Sequence, residues 1–148
     1  MNGKQETLDP RFAGFLLDSM ADGVFTLDGE GRITTWNRSM ERISGYSHGE
    51  AMGRSCSMLG FNHCIEKNCH TGVEECGIYT KGAVDAKECV LNHKNGRPVP
   101  VLKSARLVKD EAGRVIGIVE TITDLTELKK ARRKAEEYGR RLGAVSYT

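Results

Sequence analysis

The sequence lacks any long apolar run. No segment of its 148 residues approaches the roughly 20 consecutive apolar residues that a membrane-spanning helix needs, so the sequence predicts no membrane span. The first residues, MNGKQETLDPRF, contain no apolar segment of the kind found in secretory signals. We therefore expect a chain that is not exported and that resides in the cytoplasm.

The sequence also has little net charge and no recognisable catalytic motif. The formal net charge is only +2, which is too small to indicate direct nucleic-acid binding or an anionic membrane. No paired carboxylates, nucleophile motif or phosphate-binding loop are visible, and the sequence shows no kinase motif, ATPase motif or DNA-recognition helix. The sequence therefore predicts a regulatory module and not an enzyme.

Cysteine, by contrast, is plentiful and concentrated. The chain has 5 cysteines, at Cys56, Cys64, Cys69, Cys76 and Cys89. Three of them, Cys64, Cys69 and Cys76, fall in CIEKNCHTGVEEC, a run with little apolar content. Packing in a hydrophobic core therefore does not explain the thiols of this run. Because cytoplasmic thiols stay reduced and the count is odd, ligands or redox groups are favoured over permanent disulfides.

Short helices and a hairpin are predicted in the first half. Asp9 and Pro10 form a helix start, followed by apolar residues at helical spacing: Phe12, Phe15, Leu16 and Met20. Strands at 24–27 and 32–36 flank the turn DGEG. Asn37 is the predicted N-cap of a further short helix.

The second half is predicted to be rich in strands and to end in a helix. Strands at 87–93, 99–108 and 115–123 are separated by turn sequences. Beyond them, apolar residues alternate at steps of three and four, as in a coiled coil: Leu128, Ala131, Ala135, Tyr138, Leu142 and Val145. We interpret the basic residues between them as a solvated helix face and not as a DNA contact.

This order of elements resembles the PAS domain over roughly residues 10 to 130. The segments that carry the resemblance are LLDSMADGVFTLDGEGRITTWNRSMERISGYSHGEAMGRS and LNHKNGRPVPVLKSARLVKDEAGRVIGIVETITDLTELKKA. The resemblance implies an α+β fold with a five-stranded antiparallel sheet, short helices on one face, an N-terminal helix and a coiled-coil exit helix. TDLT matches the Asp-x-Thr junction of the family, so Asp124 and Thr126 form the expected signalling junction, with Asp124 as the N-cap candidate.

The resemblance also divides the chain. It implies a flexible N-terminus at 1–9, a PAS sensor domain at 10–125 and a signalling helix at 126–148. The cysteine positions look like those of bacterial PAS sensors that precede transcription activators of the nitrogen-type, sigma-fifty-four class, and of some sensor kinases. This implies a homodimer, formed through the domain and its C-terminal helix, that serves a downstream output domain.

Two chemistries for the cysteines remain open, beside a purely structural role. Thiolates are soft ligands, so any four of the five could hold zinc or an iron–sulphur cluster, with His63 or His70 in reserve. No C-x-x-C pair supports a standard site of either kind. Alternatively, Cys69 and Cys76 could form a regulatory disulfide, with Lys67 lowering a thiol pKa. The third interpretation is a dimerisation or interaction module whose thiols are structural, with Cys89 as an apolar filler.

Flavin and haem are not expected. GRSCSML resembles the motif of flavin photosensors and places Cys56 at the reactive position, but Ser57 and Gly60 replace the arginine and glutamine of that motif. The polar strand positions of those sensors correspond here to Leu91, Val101 and Ile122. A covalent haem would need C-x-x-C-H, whereas the run from Cys64 to His70 is wider. Cys56 and Cys89 are the thiols that the resemblance places facing the domain's pocket.

Overall fold

A computed structural model describes residues 10–61 and 82–143. The helices are α1 (Pro10–Ser19), α2 (Arg38–Ser44), α3 (His48–Ala51) and α4 (Thr126–Gly143), with a 3-10 helix at Cys56–Leu59. The strands are β1 (Gly23–Leu27), β2 (Ile33–Trp36), β3 (Ala83–Asn92), β4 (Pro98–Lys109) and β5 (Val115–Asp124). The predicted N-terminal segment 1–9, the cysteine-rich run and Val145 lie outside the described residues.

The strands form one antiparallel sheet in the order β2-β1-β5-β4-β3. β5 lies in the middle because it pairs with β1 on one side and with β4 on the other. This confirms the predicted α+β class and the five-stranded antiparallel sheet. Since β5 also runs directly into α4, the last helix leaves from the centre of the sheet.

Aspartate side chains shape two of the hairpin turns. The Asp28 carboxylate accepts hydrogen bonds from the backbone N–H groups of Glu30 and Arg32, at 2.8 and 3.0 Å. Asp110 accepts two equivalent bonds, from Ala112 and Arg114, in the turn between β4 and β5. These bonds mimic a backbone turn, which is why both D-x-x-G-R sequences end one strand and begin the next.

One face of the sheet packs against α2, α3 and the 3-10 helix. The largest apolar side chains of this core are fully buried: Phe25, Ile33, Met40, Leu59, Leu91, Ile118 and Ile122. Gly117 on β5 faces the other way and is buried against β1, where a β-carbon would collide with the carbonyl oxygen of Leu27. In the described parts of the chain, the core is therefore a single layer between sheet and helices.

Asn37 joins three elements at the edge of this core. Its Oδ1 accepts hydrogen bonds from the N–H of Val24 at 2.9 Å and of Met40 at 3.0 Å. Its Nδ2 donates to the carbonyl oxygens of Leu17 at 2.8 Å and Asp22 at 3.1 Å. The predicted N-cap of α2 is thus confirmed, and the same side chain also ties α1 and β1 to that helix.

Two features differ from the sequence prediction. β3 begins at Ala83 and not at 87, because the strand continues through a bulge in which Ala86 has φ 43° and its N–H donates to Ser104 Oγ. The apolar residues that predicted α1 remain largely exposed, since Phe12, Phe15 and Leu16 are 51%, 71% and 50% exposed. Across the two described ranges, no helix is long and apolar enough to cross a membrane.

Candidate functional site

A charged pair lies inside the core, on the face of the sheet that the helices cover. Lys103 is on β4 and Glu120 on β5, and their side chains are 1% and 3% exposed. Lys103 stands opposite Ile122, and Glu120 opposite Ala105, so the two charged residues are diagonal neighbours on one face. The Nζ atom of Lys103 is 3.3 Å from Oε1 of Glu120. Charges so completely buried are rare unless they are paired.

Phe61 contributes an aromatic ring to the environment of the ammonium group. Its ring centroid is 4.0 Å from Lys103 Nζ. Phe61 lies two residues after the end of the 3-10 helix. The negative face of an aromatic ring attracts a cation, most strongly where water is excluded. Lys103 is therefore held between a carboxylate on the central strand and a ring on the helical side.

The Glu120 carboxylate is less well satisfied than the ammonium. Among residues 10–61 and 82–143, none donates a hydrogen bond to the buried Oε1 atom. Lys103 is close enough for an ion pair but is not aligned as a hydrogen-bond donor to that atom. A buried carboxylate oxygen without a donor is uncommon in folded proteins, and such an atom marks a possible interaction site.

The structure places two of the five predicted cysteines at this core. Cys89 on β3 is buried, while Cys56 begins the 3-10 helix, is half-buried and packs against the same cluster of core residues. Cys64, Cys69 and Cys76, together with His63 and His70, lie outside the described residues. In the part of the chain that is described, no three potential metal ligands come together. A metal set drawn from any four cysteines stays a prediction.

The positions that bear on flavin are apolar and closely packed. Leu91, Val101 and Ile122 are fully buried in the core. Gly60 ends the 3-10 helix with φ 58°, and a β-carbon there would approach Asn92 Nδ2 to 2.6 Å. The left-handed backbone conformation favours glycine at this position, and a longer side chain would in addition require the Asn92 side chain to move.

Hydrogen bonds at Asp124 form the junction between sheet and exit helix. Its Oδ1 accepts from the N–H of Thr126 at 2.8 Å and from the Thr126 hydroxyl at 2.6 Å. The Leu125 carbonyl accepts the N–H of Lys129, so Leu125 and not Asp124 occupies the N-cap position. The predicted N-cap is thus shifted by one residue, because the aspartate forms a turn that directs the chain into the helix.

Replacing Asp124 with Ala should loosen the start of α4. Loss of a side chain that satisfies a helix N-terminus costs about 1 kcal/mol, and here it should appear as faster amide exchange in residues 126–130. Asp110→Ala is the matched control, because it removes similar turn bonds far from α4. Equal exchange rates at 126–130 in wild type and Asp124→Ala would contradict the role of this carboxylate.

A surface network fixes the β3–β4 turn to the helical side. Lys94 forms an ion pair with Glu50, and Lys94 and Arg54 lie 6.0 and 5.9 Å from the centre of the Tyr46 ring. The hydrogen bond from Lys94, followed by that from the Ser47 N–H, lowers the pKa of Glu50 below its ordinary value of 4.5. The turn between β3 and β4, which lies at the same end of the sheet as Asp124, is therefore anchored to the helical side.

The motifs of the sequence do not identify Lys103 and Glu120. The alternation of side chains along the strands does indicate both residues. Lys103 falls in the inward series with Val99, Val101 and Ala105, and Glu120 falls between the inward residues Ile118 and Ile122. A charge at such a position conflicts with a buried face. That conflict is the observation from which the pair could have been found.

Comparison with known proteins gives a consistent family assignment. The family model described as PAS domain matches residues 21–127. Signal transduction histidine-protein kinase AtoS of Escherichia coli (strain K12) is 24% identical over 123 residues, which is 80% of this chain and 19% of the kinase. This chain thus spans about a fifth of that relative's length, and the narrower likeness to sigma-fifty-four-class activators stays a prediction.

Solved structures share the fold. The crystal structure of the PAS domain of a protein from Colwellia psychrerythraea matches with a TM-score of 0.65 and 21% identity, over 79% of this chain and 97% of that one. An RNA-binding Light-Oxygen-Voltage receptor matches with a TM-score of 0.65 and 18% identity, over 88% of this chain and 37% of the receptor. At such identities the likeness concerns the fold alone. Since the family model covers well over half of its residues, the chain belongs to the PAS domain family.

Proposed function

We propose that this chain is the sensory domain of a bacterial signalling protein and that its cysteines detect redox state, a metal or a small ligand. The sheet register carries the proposal. Cys89 on β3 is paired with Val101 on β4, and Val101 is paired with Asp124 on β5. A thiol of the core and the carboxylate that directs α4 therefore lie in one row, about 10 Å apart at the usual strand spacing.

A second contact supports coupling along this row. Lys129 on α4 lies 3.4 Å from the carboxylate of Glu88, the residue next to Cys89. A change at the thiol that shifts β3 relative to β4 would alter this contact and the Asp124 turn together. Such a domain acts by changing the populations of helix arrangements, so the signal must favour one arrangement over another.

The output is proposed to lie in another domain. The curated relative is a histidine-protein kinase of which this chain spans about a fifth, and a sensory domain in such a protein would supply the signal for a two-component system. The cysteine pattern favours a regulator of transcription instead. In both cases α4 is the segment that connects sensor and output.

Homodimerisation through α4 is part of the proposal. Leu128, Tyr138 and Leu142 are 54%, 63% and 52% exposed, and they lie on the predicted coiled-coil seam. Leu142→Glu should weaken the dimer about ten-fold or more in sedimentation experiments, because a charge would enter an apolar seam. Arg141→Glu changes a neighbouring residue off the seam and serves as control. Equal effects of the two substitutions would argue against a dimer formed along this seam.

The sensing chemistry is tested on the anaerobically purified chain. We would compare metal content, absorbance and reversible thiol oxidation in wild type and in C64S/C69S/C76S, with thermal unfolding alongside. The proposal expects a bound metal or a reversible oxidation that the folded variant has lost. A wild type with neither property would contradict redox and metal sensing and would leave a small ligand as the only proposed signal. A variant that no longer folds would favour the alternative, a dimerisation or interaction module with structural cysteines.

A further inference from the structure

We propose that Glu120 anchors a site for a small uncharged molecule that carries a hydroxyl or amide N–H group. The inference rests on the proposed sensory function, since it names the class of ligand that the helix-covered face of the sheet would take. The observation behind it is the buried Oε1 atom, which receives no hydrogen bond from the described parts of the chain. A ligand that donates to this atom would supply the missing bond.

The charge of the pair restricts the ligand. Lys103 and Glu120 compensate one another 3.3 Å apart in a place that water does not reach. A cationic ligand would bring a second positive charge close to Lys103, and an anionic one a second negative charge close to Glu120. Each would bring a further charge into a medium of low dielectric constant, which is strongly unfavourable. A neutral ligand would donate the missing hydrogen bond to the Glu120 carboxylate without adding charge.

The neighbours of Glu120 restrict size and shape. Across the sheet Glu120 is flanked by Phe25 on β1 and Ala105 on β4, and Phe61 covers the ammonium group. Ala105 is the smallest residue of the inward series on β4, so on this side only a methyl group faces the carboxylate. These described neighbours, Phe25, Ala105 and Phe61, are apolar. They favour a molecule with a compact apolar body and one polar group.

Four probes built on the same benzene ring test separately whether the ligand needs a hydrogen-bond donor and whether it must be uncharged. Benzyl alcohol has a neutral donor, benzoate an anion, benzylammonium a cation, and toluene no donor. Binding is followed by the backbone amide shifts of Phe25, Ala105 and Glu120 in nitrogen-15 spectra of the folded chain. We expect saturable shifts with benzyl alcohol and affinities about ten-fold or more weaker for the other probes, since a hydrogen bond to a charged group is lost.

Two variants test whether Glu120 is the anchor. The double variant K103M/E120L removes the charges and keeps the volume, and it should bind toluene and benzyl alcohol equally. Glu127→Gln, an exposed change on α4, should bind as wild type does. The inference is overturned if benzyl alcohol binds no better than toluene, if charged probes bind best, if the double variant keeps the preference, or if no probe shifts these amides.

The outcome also separates this inference from the sensory proposal. Saturable binding at Glu120 with no change in the amide exchange of α4 would support the site and count against its use as a sensor. Absence of binding, with α4 still responding to thiol oxidation, would overturn the site and leave the sensory proposal standing.

Discussion

Lys103→Met, with Glu120 left in place, is expected to lower the free energy of unfolding by about 3–5 kcal/mol. The substitution leaves the carboxylate of Glu120, whose side chain is 3% exposed, without its opposite charge. A buried charge that has lost its partner is strongly unfavourable in an apolar surrounding. A loss of this size would be a large part of the stability of an ordinary domain.

The double variant K103M/E120L should recover most of that loss. Replacing both charges with apolar residues of similar volume is often neutral or stabilising, because no ion then has to be desolvated. Urea unfolding of the single and double variants measures the difference. Asp85→Ala is the control, since it breaks the exposed ion pair with Arg106 and should cost less than about 1 kcal/mol. A Lys103→Met variant as stable as this control would show that the buried pair is not energetically coupled.

Asn37→Ala is expected to cost about 3 kcal/mol, since it removes the N-cap of α2 and leaves buried backbone groups without partners. The N–H of Val24 loses its acceptor, and the carbonyls of Leu17 and Asp22 lose their donor. Because one of these bonds holds α1, amide exchange in residues 10–19 should increase more than exchange in β4.

The matched control for Asn37 is another helix cap. Ser47→Ala removes the exposed capping box of α3, in which Ser47 and Glu50 exchange hydrogen bonds. Loss of this cap alone should cost about 1 kcal/mol. Should urea unfolding give the same value for both substitutions, the bonds from Asn37 to α1 and β1 would contribute nothing beyond capping.

Local patterns predicted the elements because their signals are local. Strand alternation, the turns at Asp28 and Asp110, and the cap at Asn37 all depend on residues a few positions apart. The bonds from Asn37 to Leu17 and Asp22 depend instead on how α1 returns to β1, which no spacing encodes. The apolar face of α1 gave the correct helix, but periodicity does not say whether this chain or another covers such a face.

The candidate site was less predictable, for a related reason. Lys103 and Glu120 are 17 positions apart, and only the register of β4 against β5 makes them diagonal neighbours. The row that joins Cys89, Val101 and Asp124 likewise requires the pairing of three strands. The cysteines themselves are evident in the sequence, but their chemistry depends on distances between sulphur atoms, which composition does not contain.

The most direct test of the account is amide exchange of α4 in reduced and oxidised protein, with the variant that has all five cysteines replaced by serine as control. The account predicts that oxidation, or metal binding, changes protection at residues 124–132 in wild type and leaves the variant unchanged. Complete oxidation of the wild-type thiols with identical exchange throughout α4 would contradict it.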